Sequence, residues 1–453
     1  MEKTIEKIYN RSPVFLQNLL ITTYGYNLYR KRYLGDFQQI LKEIAETASL
    51  SASKVESLQD EKFRAIIEFC HSHVPYYQNS FSDHGLSPSD FTSISDIRKL
   101  PILTKKDVVE NSTELMAINS GPAYAVQHTS GSTGTPLALK VDEYTYKLAM
   151  ALLVDHEQRH GVDFGSRRAT FAGRMIKPAN DIKPPFSRFN RSENQRLFSS
   201  YHINEYTFPH YRKELDSFQP VELIGYPSAI SDLADHYLKS DSKPGFRPKV
   251  IITNSETLLL WQREKIESVF GCPVYDYYGT AEYVMFAGQD KTGIYRPNPI
   301  IGITEVEIDS DSNDTGRLLA TSLTNKQMPL LRYNLGDTAT LANSTEAAIG
   351  TPGLNSINGR IDDYIETSDG RLIGRIDHIF KGVDGIREAQ VVQSQPGWAT
   401  IKLVKNQSTA FNECTLISNC KQRLGDDFRV VVEQVSEIPR GRNGKFRSVI
   451  REK

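Results

Sequence analysis

The sequence predicts an α/β protein with a large N-terminal part and a small α+β C-terminal domain. Three observations carry this. From residue 125 onward, short β-like runs alternate with helical stretches, the signature of an α/β architecture. Near residue 350 the texture shifts to glycine-rich turns, IGTPG and INGRIDD. The remaining 90 or so residues then hold strands and one helix of their own. A chain of 453 residues is too long for a single core at the usual 100 to 200 residues per domain. The expected division is 1–361 for the large domain, with a helical segment over 1–100, and 362–453 for the small one.

Residues 1–75 read as helical. Apolar residues recur at about helical spacing through QNLLITTYGYNLYRKRYL and again through KFRAIIEFCHSHV, which Pro75 should end. The stretch IRKLPILTKKD at 97–107 is a connector in which Thr104 is placed to cap a helix starting at Lys105. The β-like runs AVQHT, LALKV, VELIGY, KVIIT, PVYDYY, TEVEI and RLLATSL follow, with helices expected over 145–160, 228–240 and 258–270. In the small domain, EAQVVQS, WATIKLV and FRVVVEQV read as strands and 413–424 as a helix.

Composition narrows the function. Aromatic residues make up 10% of the chain, enough to fill ordinary cores, so a globular rather than disordered protein is expected. The 54 basic residues balance 55 acidic ones, leaving no positive excess to drive nucleic-acid or anionic-membrane binding. Small molecules are the default partners. The four cysteines, at 70, 272, 414 and 420, lack a zinc spacing. With no charged-then-apolar leader, they point to a reducing, cytoplasmic setting. No apolar run approaches the roughly 20 residues of a membrane span.

Four segments could carry chemistry. HTSGSTGTPLAL at 128–139 is a Ser/Thr/Gly loop between two β-like runs, able to turn several N–H groups and hydroxyls toward a phosphate, although such a composition taken alone is more often a plain hairpin turn. It lacks the lysine of a Walker loop. YYGTAEY at 277–283 ends a β-like run with Glu282 placed to hold Mg²⁺, or simply exposed at a strand end. RYNLGDTA at 332–339 puts Asp337 after a glycine turn, where a carboxylate can accept from a ribose diol; most such pairs are only turns. PRGRNGKFRSVI at 439–450 places Lys445 among Arg440, Arg442 and Arg447, either as a solvated basic tail or as a lysine brought to a phosphate.

In order and spacing, these four segments resemble the adenylate-forming superfamily of acyl-CoA synthetases, luciferases and peptide-synthetase adenylation domains. Within it the likeness is to the phenylacetate-CoA ligase-like branch, in particular its capsular-polysaccharide type. It extends over almost the whole chain, through HVPYYQ, LPILTKKD, HTSGSTGTP, IGYPSAI, YYGTAE, RYNLGD, GRIDDYI and the terminal GKFR.

The resemblance implies residue roles. Ser130, Gly131, Ser132, Thr133 and Gly134 would handle the β- and γ-phosphates. Tyr278, Gly279 and Glu282 match the YGxxE motif, with Thr280 near the α-phosphate and Glu282 on Mg²⁺. Ser255, Glu256 and Thr257, within NSET, would line the adenine. Asp337 would take the ribose hydroxyls and Arg360 would contact the nucleotide from the domain junction. Asp362 falls at the hinge about which a mobile small domain turns, and Lys445 matches the adenylation lysine. The interval 338–359 is longer than the family pattern, and the cysteine-rich metal site of some relatives is missing, so no structural zinc is expected.

The implied reaction is ATP- and Mg²⁺-dependent activation of a carboxylic acid as its acyl-adenylate, with release of pyrophosphate and transfer of the acyl group to CoA. The alternative acceptor is an amine, for instance on an amino sugar of a surface polysaccharide. A non-catalytic nucleotide-binding scaffold is disfavoured by the joint presence of Glu282, Asp337 and Lys445. Pocket candidates are Tyr226, His202 and the aromatics near 277–286, although Tyr and His at such places more often pack in the core. The acid and the oligomeric state are not legible in the sequence.

Overall fold

The computed structural model describes residues 8–128, 138–173, 176–178, 181–308, 312–344, 348–358, 365–368, 372–373, 376–380, 383–405, 410–440 and 446–452. The sequence-derived sites at Ser130, Gly131, Ser132, Thr133, Gly134, Arg360, Asp362 and Lys445 lie outside these residues.

The N-terminal helices are Val14–Tyr33, Phe37–Ala48, Ala52–His73 and Pro75–Asp83. Pro75 both ends one helix and starts the next. Val74 is extended between them, and a proline, lacking an N–H and fixed near helical φ, suits a first helical position. Thr104 caps Lys105–Glu110 as expected. Its hydroxyl accepts from the Asp107 amide at 3.2 Å, and the Asp107 carboxylate accepts from the Thr104 amide at 2.8 Å.

Among the described residues, thirteen strands form one sheet with two unlike halves. In the first, Val274–Gly279, Val250–Asn254, Glu222–Gly225, Arg168–Phe171 and Gln195–Phe198 lie side by side and parallel, with Ser187–Asn190 antiparallel at the edge. Helices cover this half, and its central strand Val250–Asn254 reads as an apolar run with Val250, Ile251, Ile252 and Thr253 all buried. Tyr211, Leu215, Ile230, Leu233 and Ile266, from three helices, meet Leu223 and Ile251 in one core.

Phe286–Gln289 returns antiparallel to Val274–Gly279 and opens the second half, which continues through Tyr295–Pro297, Leu354–Asn358, Tyr333–Leu341, Thr315–Ser322, Gly302–Ile308 and Ile349–Gly350. The extra length of the 338–359 interval goes into this sheet, as the end of Tyr333–Leu341 and two further strands.

Buried Arg332 joins the connector to the second half. It makes a two-pronged bond to Glu305, at 3.1 and 2.9 Å, and donates to the Arg98 and Leu100 carbonyls. Leu103 and Tyr333 complete the junction with a short parallel bridge.

A separate four-stranded sheet forms the C-terminal domain, in the order Arg429–Gln434, Trp398–Lys405, Ile386–Gln395, Val449–Arg451. Helix Glu413–Leu424 lays Leu416, Cys420 and Leu424, spaced by four, onto Val391, Ile401 and Leu403. Val449–Arg451, which begins within the 439–450 segment that the sequence left open between a solvated tail and a phosphate-facing lysine, pairs in parallel with Ile386–Gln395. The fold is thus a mixed α/β one with a large N-terminal region and a distinct C-terminal domain. Among the described residues, no helix is long and apolar enough to cross a membrane.

Candidate active site

Three of the sequence-derived segments follow consecutive parallel strands at their carboxyl ends. Tyr226 comes after Glu222–Gly225, Ser255 to Thr257 after Val250–Asn254, and Thr280 to Glu282 after Val274–Gly279. Ligands of open α/β sheets bind at this edge, because the loops there leave adjacent strands side by side.

The edge has little slack. Gly225 packs so closely on its neighbour that a Cβ would lie 2.0 Å from the Phe171 carbonyl oxygen, and that same oxygen accepts from the Tyr226 amide at 2.8 Å. Tyr226 is buried at the mouth of helix Pro227–Lys239. Ser255 turns the chain with a left-handed φ of 67°, its hydroxyl donating to Asn254 at 2.8 Å.

After Val274–Gly279 the chain makes a tight turn. The Tyr283 amide bonds to the Thr280 carbonyl at 3.1 Å, with Tyr283 left-handed, and the Val284 amide donates to the Thr280 hydroxyl at 3.4 Å. The half-buried Glu282 thereby sits over the second half of the sheet, where the Tyr333 hydroxyl donates to its Oε1 at 3.3 Å.

Asp337 reaches the same place by a different route. The sequence suggested a glycine turn; the structure instead places RYNLGDTA in and just before the long strand Tyr333–Leu341, and the reason is a bulge. Asn334 pairs with Leu319 and Thr338 with Arg317, so Leu335, Gly336 and Asp337 stand opposite Leu318 alone. Gly336 takes the left-handed φ of 78° that such a bulge needs. The Asp337 carboxylate then accepts the Tyr278 hydroxyl, so the bulge and the YGxxE strand are joined side chain to side chain.

Beneath the site, Asp276 is a buried polar node. Its carboxylate accepts from Thr253 and Tyr295, each at 2.6 Å, and its amide donates to Gln289 at 2.9 Å. Burial pushes its carboxyl up to about 7 despite these donors.

Two expectations look different in place. His202 is buried with both ring nitrogens engaged, Nδ1 with Ser199 at 2.7 Å and Nε2 with the Pro178 carbonyl at 3.2 Å, so it serves the packing around Phe186. Glu256 accepts from the Ser228 amide at 3.2 Å and from the Phe446 amide at 2.6 Å, which directs its carboxylate at the neighbour of Lys445. Burial raises its pKa, while these donors oppose the shift. Sequence reasoning missed Tyr333 and Arg332. Both lie in the quoted RYNLGD run, but neither a tyrosine's cross-strand partner nor the left-handed φ of 47° at Arg332 leaves a mark in a single sequence.

The chain superimposes on 2-hydroxyisobutyryl-CoA ligase in its postadenylation state with a TM-score of 0.68, at 19% identity, over 89% of this chain and 91% of that one. With the same ligase in its thioesterification state the score is 0.56 over equal shares. In sequence it is 24% identical to the phenylacetate-coenzyme A ligase of Escherichia coli over 71% of this chain and 74% of that protein. Fold and sequence thus resemble those of acyl-CoA-forming ligases, and in sequence the likeness is to phenylacetate-coenzyme A ligases. More particularly it is similar to protein CapK of Staphylococcus aureus, with 27% identity over 98% of both chains, and residues 365–452 match the CapK C-terminal domain family.

Proposed function

We propose that the chain activates a carboxylic acid with ATP and Mg²⁺ and passes the acyl group to CoA. The observation that carries this reading is the pair of hydroxyl-linked carboxylates, Tyr278–Asp337 and Tyr333–Glu282, at the carboxyl edge of the parallel strands. The names of the relatives, a phenylacetate-CoA ligase and a 2-hydroxyisobutyryl-CoA ligase, support an acid and CoA as substrates.

The residues fit the nucleotide and the ion. Mg²⁺ takes one or two carboxylates together with water and phosphate oxygens, and the half-buried Glu282, held by the Tyr333 hydroxyl, is a carboxylate of that kind. Glu282 would be that carboxylate, and the bound ion would neutralise phosphate charge. Asp337, oriented by Tyr278, would accept from the ribose hydroxyls. Ser130 to Gly134 and Thr280 would donate to the phosphates, and Arg360 would approach from the domain junction. A substrate carboxylate oxygen then bonds to the α-phosphorus as the bond to pyrophosphate breaks, with Lys445 holding the developing charge. In the second step the CoA thiol gives up its proton and attacks the acyl carbon, and AMP leaves.

The two steps need different neighbours for the adenylate, so the small domain, 362–453, would turn about Asp362 against 1–361. That 2-hydroxyisobutyryl-CoA ligase is known in both a postadenylation and a thioesterification state supports two positions of that domain. The test is acid-dependent pyrophosphate release over aryl, fatty and amino acids, followed by assay for a thioester with CoA or an amide with amines. A thioester with a preferred acid is the expected result. An amide alone would move the chain to amide ligation, and no acid-dependent pyrophosphate from any acid would end the reading.

A further inference from the structure

Two residues that flank Lys445 in the sequence, Arg440 and Phe446, are fastened to the large region. The Arg440 guanidinium lies 2.9 Å from Asp232, on helix Pro227–Lys239 of the large region, and 2.9 Å from Glu388, on strand Ile386–Gln395 of the C-terminal domain. All three side chains are largely buried, at 19%, 22% and 9% exposure, so water screens them poorly. The Phe446 amide donates to Glu256 at 2.6 Å, and the other oxygen of that carboxylate accepts from Ser228 on the same helix as Asp232. The Arg440 guanidinium also lies over the Phe446 ring, 4.7 Å from its centre, which ties the two fastenings together.

We propose that Arg440 and Glu256 are positioning residues that clasp the C-terminal domain, at Glu388 and Phe446, to the large region during adenylation and let go for acyl transfer. The inference rests on the adenylation reading above. The chemistry suits a reversible fastening: one guanidinium shared by two carboxylates and one amide held by a third is strong while closed, yet involves few contacts to break. It also reassigns Glu256. A residue lining adenine would govern ATP binding, whereas one that holds the neighbour of Lys445 governs turnover in the first step, because misplacement by about 1 Å can cost roughly 100-fold.

The test uses the full-length protein and its Arg440→Ala, Arg440→Lys, Glu256→Ala and Glu256→Gln variants. Three quantities are measured: pyrophosphate release with varied ATP, acyl transfer from added acyl-adenylate to CoA, and hydrogen exchange of the Phe446 amide. The two alanine variants should lower kcat for pyrophosphate release roughly 10- to 100-fold, with KM for ATP nearly unchanged. They should speed exchange at Phe446 and leave acyl transfer as fast or faster. Lysine and glutamine, which keep the cation and the acceptor respectively, should restore part of each loss. A rise in KM for ATP in Glu256→Ala with unchanged exchange would return Glu256 to the adenine, and an equal fall in both half-reactions would overturn the clasp. If the parent protein releases no pyrophosphate with any acid, adenylation itself has failed and the half-reaction assignment goes with it; exchange at Phe446 still decides whether the clasp exists.

Discussion

The large sheet and the small C-terminal sheet do opposite work. The large sheet buries both faces of its parallel half and pins its loops through close contacts such as Gly225 on Phe171, so Tyr278, Glu282 and Asp337 stand in fixed relation. The small sheet has a core of its own around Val391, Ile401 and Leu416, and the C-terminal domain meets the large region through Arg440 and the Phe446 amide. On the proposed reading, one part would hold carboxylates still and the other would bring a cation to them. This division suits chemistry in two steps, where the same intermediate must be enclosed and then reopened.

The largest effect that separates the two parts is expected from Lys445→Ala. Removing a group that acts mainly in the transition state typically costs on the order of 10²- to 10³-fold in rate. Pyrophosphate release should fall by that much while ATP binding and thermal stability stay near those of the parent. A variant that adenylates at the parent rate would remove the small domain from the chemistry.

Gly225→Ala probes the large part and should behave in the opposite way. A Cβ facing the Phe171 carbonyl at 2.0 Å must push two parallel strands apart, and overpacking of this kind costs roughly 1–3 kcal/mol. The displacement passes to Tyr226 and helix Pro227–Lys239, so stability, ATP affinity and rate should decline together. Thermal melting beside ATP titration checks this; a drop in rate with the other two unchanged would mean that the edge tolerates the shift.

What could be read in advance follows the same line. The parallel strands announce themselves because burial on both faces demands runs such as VIIT, and the small domain because its strands alternate around one amphipathic helix. Asp337 was legible as a residue but not as a structure. Glycine before aspartate suits a turn and a bulge equally, and only pairing with the distant Arg317 and Leu319 decides between them. Long-range polar partners were hidden for the same reason. Asp232, Glu388 and Arg440 lie far apart in the chain, and each reads as an ordinary surface charge until the fold brings them together.

Glu282→Gln sharpens the role of the fixed carboxylates. The amide keeps the shape and can still accept from Tyr333, but it lacks the charge that a hard cation needs. Partners outside the first ligand shell already cost 10- to 100-fold in metal affinity when lost, so a direct ligand should weaken the apparent Mg²⁺ affinity by at least about 10-fold. Mg²⁺ titrations of pyrophosphate release that overlay those of the parent would make Glu282 a structural acceptor for Tyr333.

The smallest effect concerns the support under the site. Asp276 is raised by burial from 3.8 to about 7, so the folded protein holds its proton where the unfolded chain has lost it. A carboxyl raised in this way contributes stability that is complete below about pH 4 and lost as pH climbs through 7. Asp276→Asn keeps an oxygen acceptor for Thr253 and an amide to face Tyr295, and it cannot ionise. Melting temperatures of the parent should therefore fall between pH 4 and 7 more steeply than those of the variant. The slope should shrink without vanishing, because Glu256 and Glu388 are raised by burial as well. Parallel slopes in the two proteins would mean that Asp276 is already ionised in the fold, held by Thr253, Tyr295 and the nearby Arg263 charge.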